Sequence, residues 1–368
     1  MNVIAIFDVG KTNKKVLLFN ENYEIVWEQS TSFLEIKDED GFPSENLNLL
    51  TDWVLETYNS ILSTREYNLK AVNFSAYGAS IVAIDDSNTP LTPLYNYLKP
   101  YPENLKKQFY DKFDCKETFE NITSSPEMGS LNSGLQIFRM QQEKPDIFNK
   151  TKYFLHLPQY LSSLITGQFY TDSTSIGCHT SLWDFTKMKY HRWITDEKIN
   201  KKLPPFHFSE YPIKLKEEIW VGVGLHDSSA ALVPYLASFK EPFILISTGT
   251  WNITFNPFAK FIPRAEAIQN DCLYYLNYKE KPVKASRLFA GNEHEIQTAR
   301  LADFFNVQKD TYKSVKCDEA ILKNLKSISQ VEFKNRDLST FETYEIAYHQ
   351  LVKDIIHQQV ASSKLVIG

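Results

Sequence analysis

Asp8 closes an apolar run, VIAIF, and a polar turn from Gly10 to Lys15 follows before a second apolar run, VLLF, leaves. The turn offers Thr12 and Asn13 as hydroxyl and amide donors, and Lys11, Lys14 and Lys15 as cations. Gly10 can take backbone angles that other residues avoid, and it lets a ligand approach the main chain. The set suits phosphate oxygens together with a metal. Amides and hydroxyls donate, lysines neutralise, and the carboxylate orders Mg²⁺ or its water shell. A lysine-rich surface hairpin without any ligand fits the same residues.

A second stretch repeats the layout. Glu241 to Pro257, EPFILISTGTWNITFNP, places Ser247, Thr248, Gly249 and Thr250 between an apolar strand and an alternating one. Two such hairpins in opposite halves of a chain point to two related domains facing each other across a nucleotide. Chance similarity stays open, because glycine-bearing hairpins are common. A third chemical group is Asp227, in GLHDSSAA. Small residues precede it and a helix is expected to start there. Free backbone amides and the helix dipole hold a carboxylate charged at that position; a plain N-cap has the same pattern.

The elements that must carry these groups read as follows. VIAIF, VLLF and YEIVWEQSTSF are three strands, an antiparallel edge on a larger sheet. Ser44 is expected to cap a helix with Leu47, Leu50, Val54, Tyr58 and Ile61 on one face. LKAVNFSAYG is a buried strand whose polar end, Ser75 to Ser80, falls at the carboxyl edge of a parallel sheet, where ligands usually bind. IVAID is a further strand. The order β-β-β-α-β-α predicts α/β architecture: two ribonuclease H-like domains of the actin and hexokinase ATPase type, with a cleft between them. The first is expected over 1–218 and the second over 219–368. Gly167 ends an apolar helix, and Thr171 to Phe185 reads as a polar loop. VKASRLF reads as a loop before a helix. The stretch from Phe341 to Val360 is an amphipathic helix with Ile346, Leu351, Ile355 and Ile356 inward, and KLVIG starts a strand.

Composition narrows the function. At 368 residues and 43% hydrophobic, the chain can build two cores. A net charge of −5 argues against a nucleic-acid partner. Cys115, Cys178, Cys272 and Cys317 lie far apart, with no metal-ligand spacing and no disulfide framework, which fits a reducing cytoplasm. No apolar stretch approaches the ~20 residues of a membrane helix. Neither a GxxxxGK[ST] nor a GxGxxG loop is present.

Taken in order, the residues resemble the FGGY family of carbohydrate kinases. DVGKTNKK resembles its first phosphate hairpin, and GLHDSSAA the stretch holding its catalytic base. STGTWNI resembles its second phosphate hairpin, in the Ser-x-Gly-Thr-Trp form of fuculokinase and rhamnulokinase members. TGQFYTDSTSIGCHTSLWD resembles the segment beside its sugar pocket. The resemblance implies a MgATP-dependent sugar kinase, with a ketose or deoxyketose of the fuculose, rhamnulose or xylulose type as acceptor.

Carried over position by position, Asp8 orders Mg²⁺. Gly10, Lys11, Thr12, Asn13 and Lys15 approach the ATP phosphates, with Gly249, Thr250 and Gly291 from the other domain. Asp227 is the base, and Tyr77, Gly78, Ser80, Tyr97, His226 and Asp227 line the sugar pocket. Lys11 stands where the family usually has a hydroxyl residue, Ser80 where the fuculokinase-like pattern has Asp, and Tyr97 where Trp is usual. The second domain and its adenine contacts are expected to continue past Gly368. The expected partners are a small sugar and ATP, without nucleic acid or membrane; a homodimer is one assembly left open, and the sequence does not give the oligomeric state. The competing reading is an actin-like nucleotide-binding protein or sugar-sensing pseudokinase without phosphotransfer.

Overall fold

The computed structural model describes residues 1–216, 218–262, 265–325 and 332–367. The chain forms two compact units. The first is Met1–Glu241 with Lys260–Ile268 and Leu273–Val283; the second is Pro242–Ala259, Gln269–Cys272 and Lys284–Gly368. The boundary expected after Glu218 therefore falls inside the first unit, because the strands that follow it join the first sheet.

In the first unit, β1 (Asn2–Val9) pairs antiparallel with β2 (Lys14–Phe19), and β2 with β3 (Ile25–Thr31). Alternate residues of β1, Val3, Ala5, Phe7 and Val9, are buried. This is the two-residue period of a strand with one covered face. The cover is α1 (Leu47–Ser63), whose Trp53 meets Phe7 edge-on at 5.6 Å. Burying one such aromatic side chain stabilises by roughly 1.5–3 kcal/mol. Asn46, not Ser44, caps α1: its Oδ1 accepts from the Leu49 amide, while Ser44 sits in a short two-residue strand. β4 (Asn68–Ala76) runs parallel to β1 on the side away from β2. β5 (Ile81–Ile84) leaves this sheet and pairs with β6 (Tyr153–His156). The helix α2 (Ser133–Glu143) and then α3 (Leu157–Thr166) follow, the latter ended by Gly167 in the left-handed conformation as expected. The segment expected as a loop, Thr171 to Phe185, contains a helical turn, Ser173–Ile176, capped by the buried Asp172.

Three short strands complete the first sheet: β7 (Ile213–Lys214), β8 (Trp220–Val221) and β9 (Leu225–His226). β8 and β9 both lie parallel to β4 on its free side. Gly224, at φ +87°, lets the chain cross between them, where a Cβ would come within 2.4 Å of the Pro158 carbonyl. A single helical turn, Asp227–Ala230, follows β9.

In the second unit, β10 (Leu245–Ser247) and β11 (Asn252–Asn256) form the second hairpin, and β11 pairs antiparallel with β12 (Pro282–Leu288). VKASRL, expected as a loop, is thus strand: its backbone is taken up by β11, with Val283, Ala285 and Ser286 buried. α4 (Ala290–Phe305) and α5 (Tyr344–Ile367) pack together, with Leu301, Tyr344, Ala347 and Leu351 in their core. Ile356 points outward, 53% exposed, contrary to the expected stripe. KLVIG does not begin a strand. Lys364 to Ile367 continue α5, and Gly368 lies outside the described residues. The helix persists because its last turns bond to the sheet: Asn256 Nδ2 donates to the Val366 carbonyl at 2.8 Å, and Ser362 Oγ to Ser286 Oγ at 3.0 Å.

Candidate active site

The register of the first sheet assembles the site. Lys15, Asp8 and Ser75 occupy one row across β2, β1 and β4, continued by Leu225 on β9. Val9, Ala76 and His226 form the next row, and Asp227 lies one residue beyond. Side chains along one row project to the same face of a sheet. Asp8, Lys15 and Ser75 therefore share a face at the carboxyl ends of β1 and β4.

The electrostatics agree with this placement. The Asp8 carboxyl is accessible but crowded, and lost hydration raises its pKa above the ordinary carboxylate range. The Asp227 carboxylate raises it further, against the Ser75 hydroxyl bond and the Lys15 charge. Two acids in one small space disfavour double ionisation. Asp227 Oδ1 accepts from the Ser228 amide at 2.6 Å and from Ser228 Oγ at 3.3 Å. Its side chain is 41% exposed. His226 Nε2 lies 3.3 Å from the same Oδ1 and 3.5 Å from Cys178 Sγ. The backbone places this pair: the His226 amide donates to Thr174 Oγ1 at 3.0 Å, and Thr174 is held by the buried Asp172.

The acceptor-side residues converge on the same place. A Cβ at Gly78 would fall 2.7 Å from His226 Nε2, so only glycine lets the imidazole lie there. Tyr77 and Tyr97 meet edge to face at 6.1 Å. The Tyr97 pKa is raised by burial first, then by the charges of Asp227 and Glu35. Ser80 is buried and its hydroxyl bonds the Gly78 carbonyl at 3.3 Å. Tyr77, Gly78, Ser80, Tyr97, His226, Asp227 and Asp8 thus lie in one neighbourhood of the first unit.

The first turn is closed by the Gly10 amide donating to the Asn13 carbonyl at 2.9 Å. Thr12, Asn13 and Lys15 are exposed there. The other two cations are engaged: Lys11 Nζ is 2.6 Å from Glu35, and Lys14 is buried against Glu45 at 2.9 Å. Lys14 thus points inward instead of toward a phosphate. Its pairing with Glu45 had no signal in the sequence, because the partners stand 31 residues apart.

In the second unit the turn around Gly249 meets the start of α4. The Gly291 amide donates to the Thr250 carbonyl at 3.1 Å, and a Cβ at Gly291 would lie 2.1 Å from the Gly249 carbonyl oxygen. Gly249, Thr250 and Gly291 therefore form one contact. Trp251 stacks on Phe289 at 4.2 Å beside it.

Among the described residues no three or more His, Cys, Asp or Glu side chains gather as a metal cluster. Mg²⁺ is commonly held by one or two carboxylates with water and substrate phosphates. Asp8, an accessible carboxylate at the carboxyl end of β1 beside the first turn, fits that donor set. No helix among the described residues is long and apolar enough to cross a membrane.

The profile described as "FGGY family of carbohydrate kinases, N-terminal domain" matches residues 3–232. A rhamnulokinase of Halalkalibacterium halodurans is 23% identical over 67% of this chain and 52% of its own length. An L-fuculokinase of Haemophilus influenzae is 23% identical over 69% of this chain and 57% of its own. The chain thus spans about half the length of these curated relatives. A carbohydrate kinase from Novosphingobium aromaticivorans superposes with a TM-score of 0.78 at 20% identity, covering 99% of this chain and 82% of that one. A ligand-bound xylulose kinase from Lactobacillus acidophilus superposes at 0.77 with 16% identity, covering 100% and 79%. The fold is that of the two-domain actin and hexokinase-like sugar kinases.

Proposed function

We propose that this chain, which belongs to the FGGY family of carbohydrate kinases, transfers the γ-phosphoryl group of ATP to a hydroxyl of a small carbohydrate. The observation that carries the reading is the convergence of Asp8 and Asp227 at one sheet edge, with Lys15, Tyr77 and Tyr97 around them.

Phosphoryl transfer asks a protein mainly for positioning and charge neutralisation. Gly10, Lys11, Thr12, Asn13 and Lys15 are read as phosphate contacts of the first unit. Gly249, Thr250 and Gly291 are read as nucleotide contacts of the second. Asp8 would hold Mg²⁺, which supplies charge neutralisation at the phosphates when bound. A sugar hydroxyl is a weak nucleophile, and a carboxylate in reach can take its proton. Asp227 Oδ1 is engaged by Ser228, which leaves Oδ2 for that proton. Gly78, Ser80 and His226 would orient the acceptor.

The acceptor class proposed is a ketose or deoxyketose of the fuculose, rhamnulose or xylulose type. The STGTW turn supports it, as do relatives named rhamnulokinase and L-fuculokinase. A relative named gluconokinase marks sugar acids as the next class to try. The test is release of ADP by the purified protein, with Mg²⁺ and a panel of ketoses, aldonates and polyols. Strong stimulation by one sugar supports the reading; ADP release indifferent to every sugar overturns it and favours a nucleotide-binding role.

A further inference from the structure

Among the described residues of the first unit, Lys14 and Glu45 are the most deeply buried ion pair that the proposed chemistry does not use, 1% and 3% exposed. Breaking a buried pair leaves an uncompensated charge, so such a pair persists only where its geometry is fully satisfied. Here it is satisfied at both ends. Lys14 Nζ donates to the Lys11 carbonyl at 3.1 Å, inside the first turn, and to Glu45 Oε2 at 3.0 Å. Glu45 Oε2 also accepts from the Tyr77 hydroxyl at 3.3 Å. Burial and the Glu45 charge raise the Tyr77 pKa well above its ordinary value, so the hydroxyl stays a donor. The Tyr77 ring then abuts Tyr97. A continuous path of polar and ring contacts thus runs from the turn carbonyl to the tyrosine beside Asp227.

We propose that Glu45 is a positioning residue, which couples the phosphate turn to the acceptor pocket through Lys14 on one side and Tyr77 on the other. The proposal rests on the kinase reading above. The β1–β4 ladder also joins the two regions through the main chain, with the Tyr77 amide donating to the Val9 carbonyl at 3.1 Å, and a second side-chain bridge is the half-exposed Lys11–Glu35 pair, with Asn96 Nδ2 3.4 Å from Glu35. Exposed pairs of that kind contribute little and are screened by salt.

The test is hydrogen exchange of the full chain with and without MgADP, in high salt. In the wild type, MgADP should slow exchange at residues 9–15 and also at residues 94–99. In Glu45→Gln, the slowing at 9–15 should remain and that at 94–99 should be lost. Tyr77→Phe, which deletes one hydroxyl, should give the same loss and guards against a folding defect in the first variant. Slowing at 94–99 that survives both substitutions overturns the proposal, as does its absence from a wild type that is slowed at 9–15. A wild type unaffected by MgADP at 9–15 overturns the kinase reading itself.

Discussion

His226 Nε2 lies 3.3 Å from Asp227 Oδ1, while its buried Nδ1 has no hydrogen-bond partner among the described residues. The imidazole is therefore engaged through Nε2 alone, by Asp227 Oδ1 and Cys178 Sγ, in space that the missing Cβ of Gly78 leaves open. Asp227→Asn keeps the shape of this contact and removes the proton acceptor. Turnover should fall by about 10²–10⁴-fold, the usual worth of general base catalysis. The KM for MgATP should change little. Steady-state kinetics on the sugar identified in the panel checks both numbers.

Asp8→Asn should separate function from stability. Burial and the Asp227 charge both make ionised Asp8 unfavourable in the fold. Its native pKa lies above the unfolded value, so this group's contribution to stability is greatest at low pH and declines as pH rises through the native pKa. Near neutral pH the substitution should raise the melting temperature in EDTA, while the Mg²⁺ needed for half-maximal rate should rise steeply. Scanning calorimetry and a magnesium titration give the two readings.

His156 predicts an acid-labile fold. Burial lowers its pKa to about 3, helped by the nearby His226. Its Nε2 shares a 3.0 Å hydrogen bond with Ser133 Oγ. The unfolded chain binds a proton near the ordinary value of about 6.5, and the native chain does not until far lower. Stability should therefore fall as pH drops below that value, by up to about 1.4 kcal/mol per pH unit. His156→Asn should flatten the slope between pH 6 and 4 in urea-unfolding experiments, whatever it does to stability at neutral pH.

Gly291→Ala should damage the second unit's turn. A Cβ would sit 2.1 Å from a backbone oxygen that cannot swing away. Overpacking of this sort typically costs about 1–3 kcal/mol. Because the strain falls on Gly249 and Thr250, the KM for ATP should rise more than the KM for the acceptor. Melting curves and separate substrate titrations test this.

Much of this was legible because it is local. The first hairpin, the α1 stripe and the Gly167 stop follow from two-residue and helical periods and from single-residue turn chemistry. The grouping of Tyr77, Gly78, His226 and Asp227 was legible only through the family resemblance, since β4 and β9 meet across some 150 residues of intervening chain. What failed was decided by tertiary contact. VKASRL became a strand because β11 offers it a ladder, and KLVI stayed helical because Asn256 and Ser286 hold its last turns. Ser44 and Asn46 are both good caps, and only the path of the chain chose Asn46. The domain boundary moved for the same reason: β8 and β9 are too short to announce the sheet they complete.

The sealed Lys14 also carries a message for comparing sequences. Its charge has no route to water, so a chain that replaces it with an apolar residue gains nothing from an acid at position 45, and a chain that loses the acid strands a cation. Positions 14 and 45 should therefore change together among close relatives, as a two-letter signature that marks a lineage without naming its sugar.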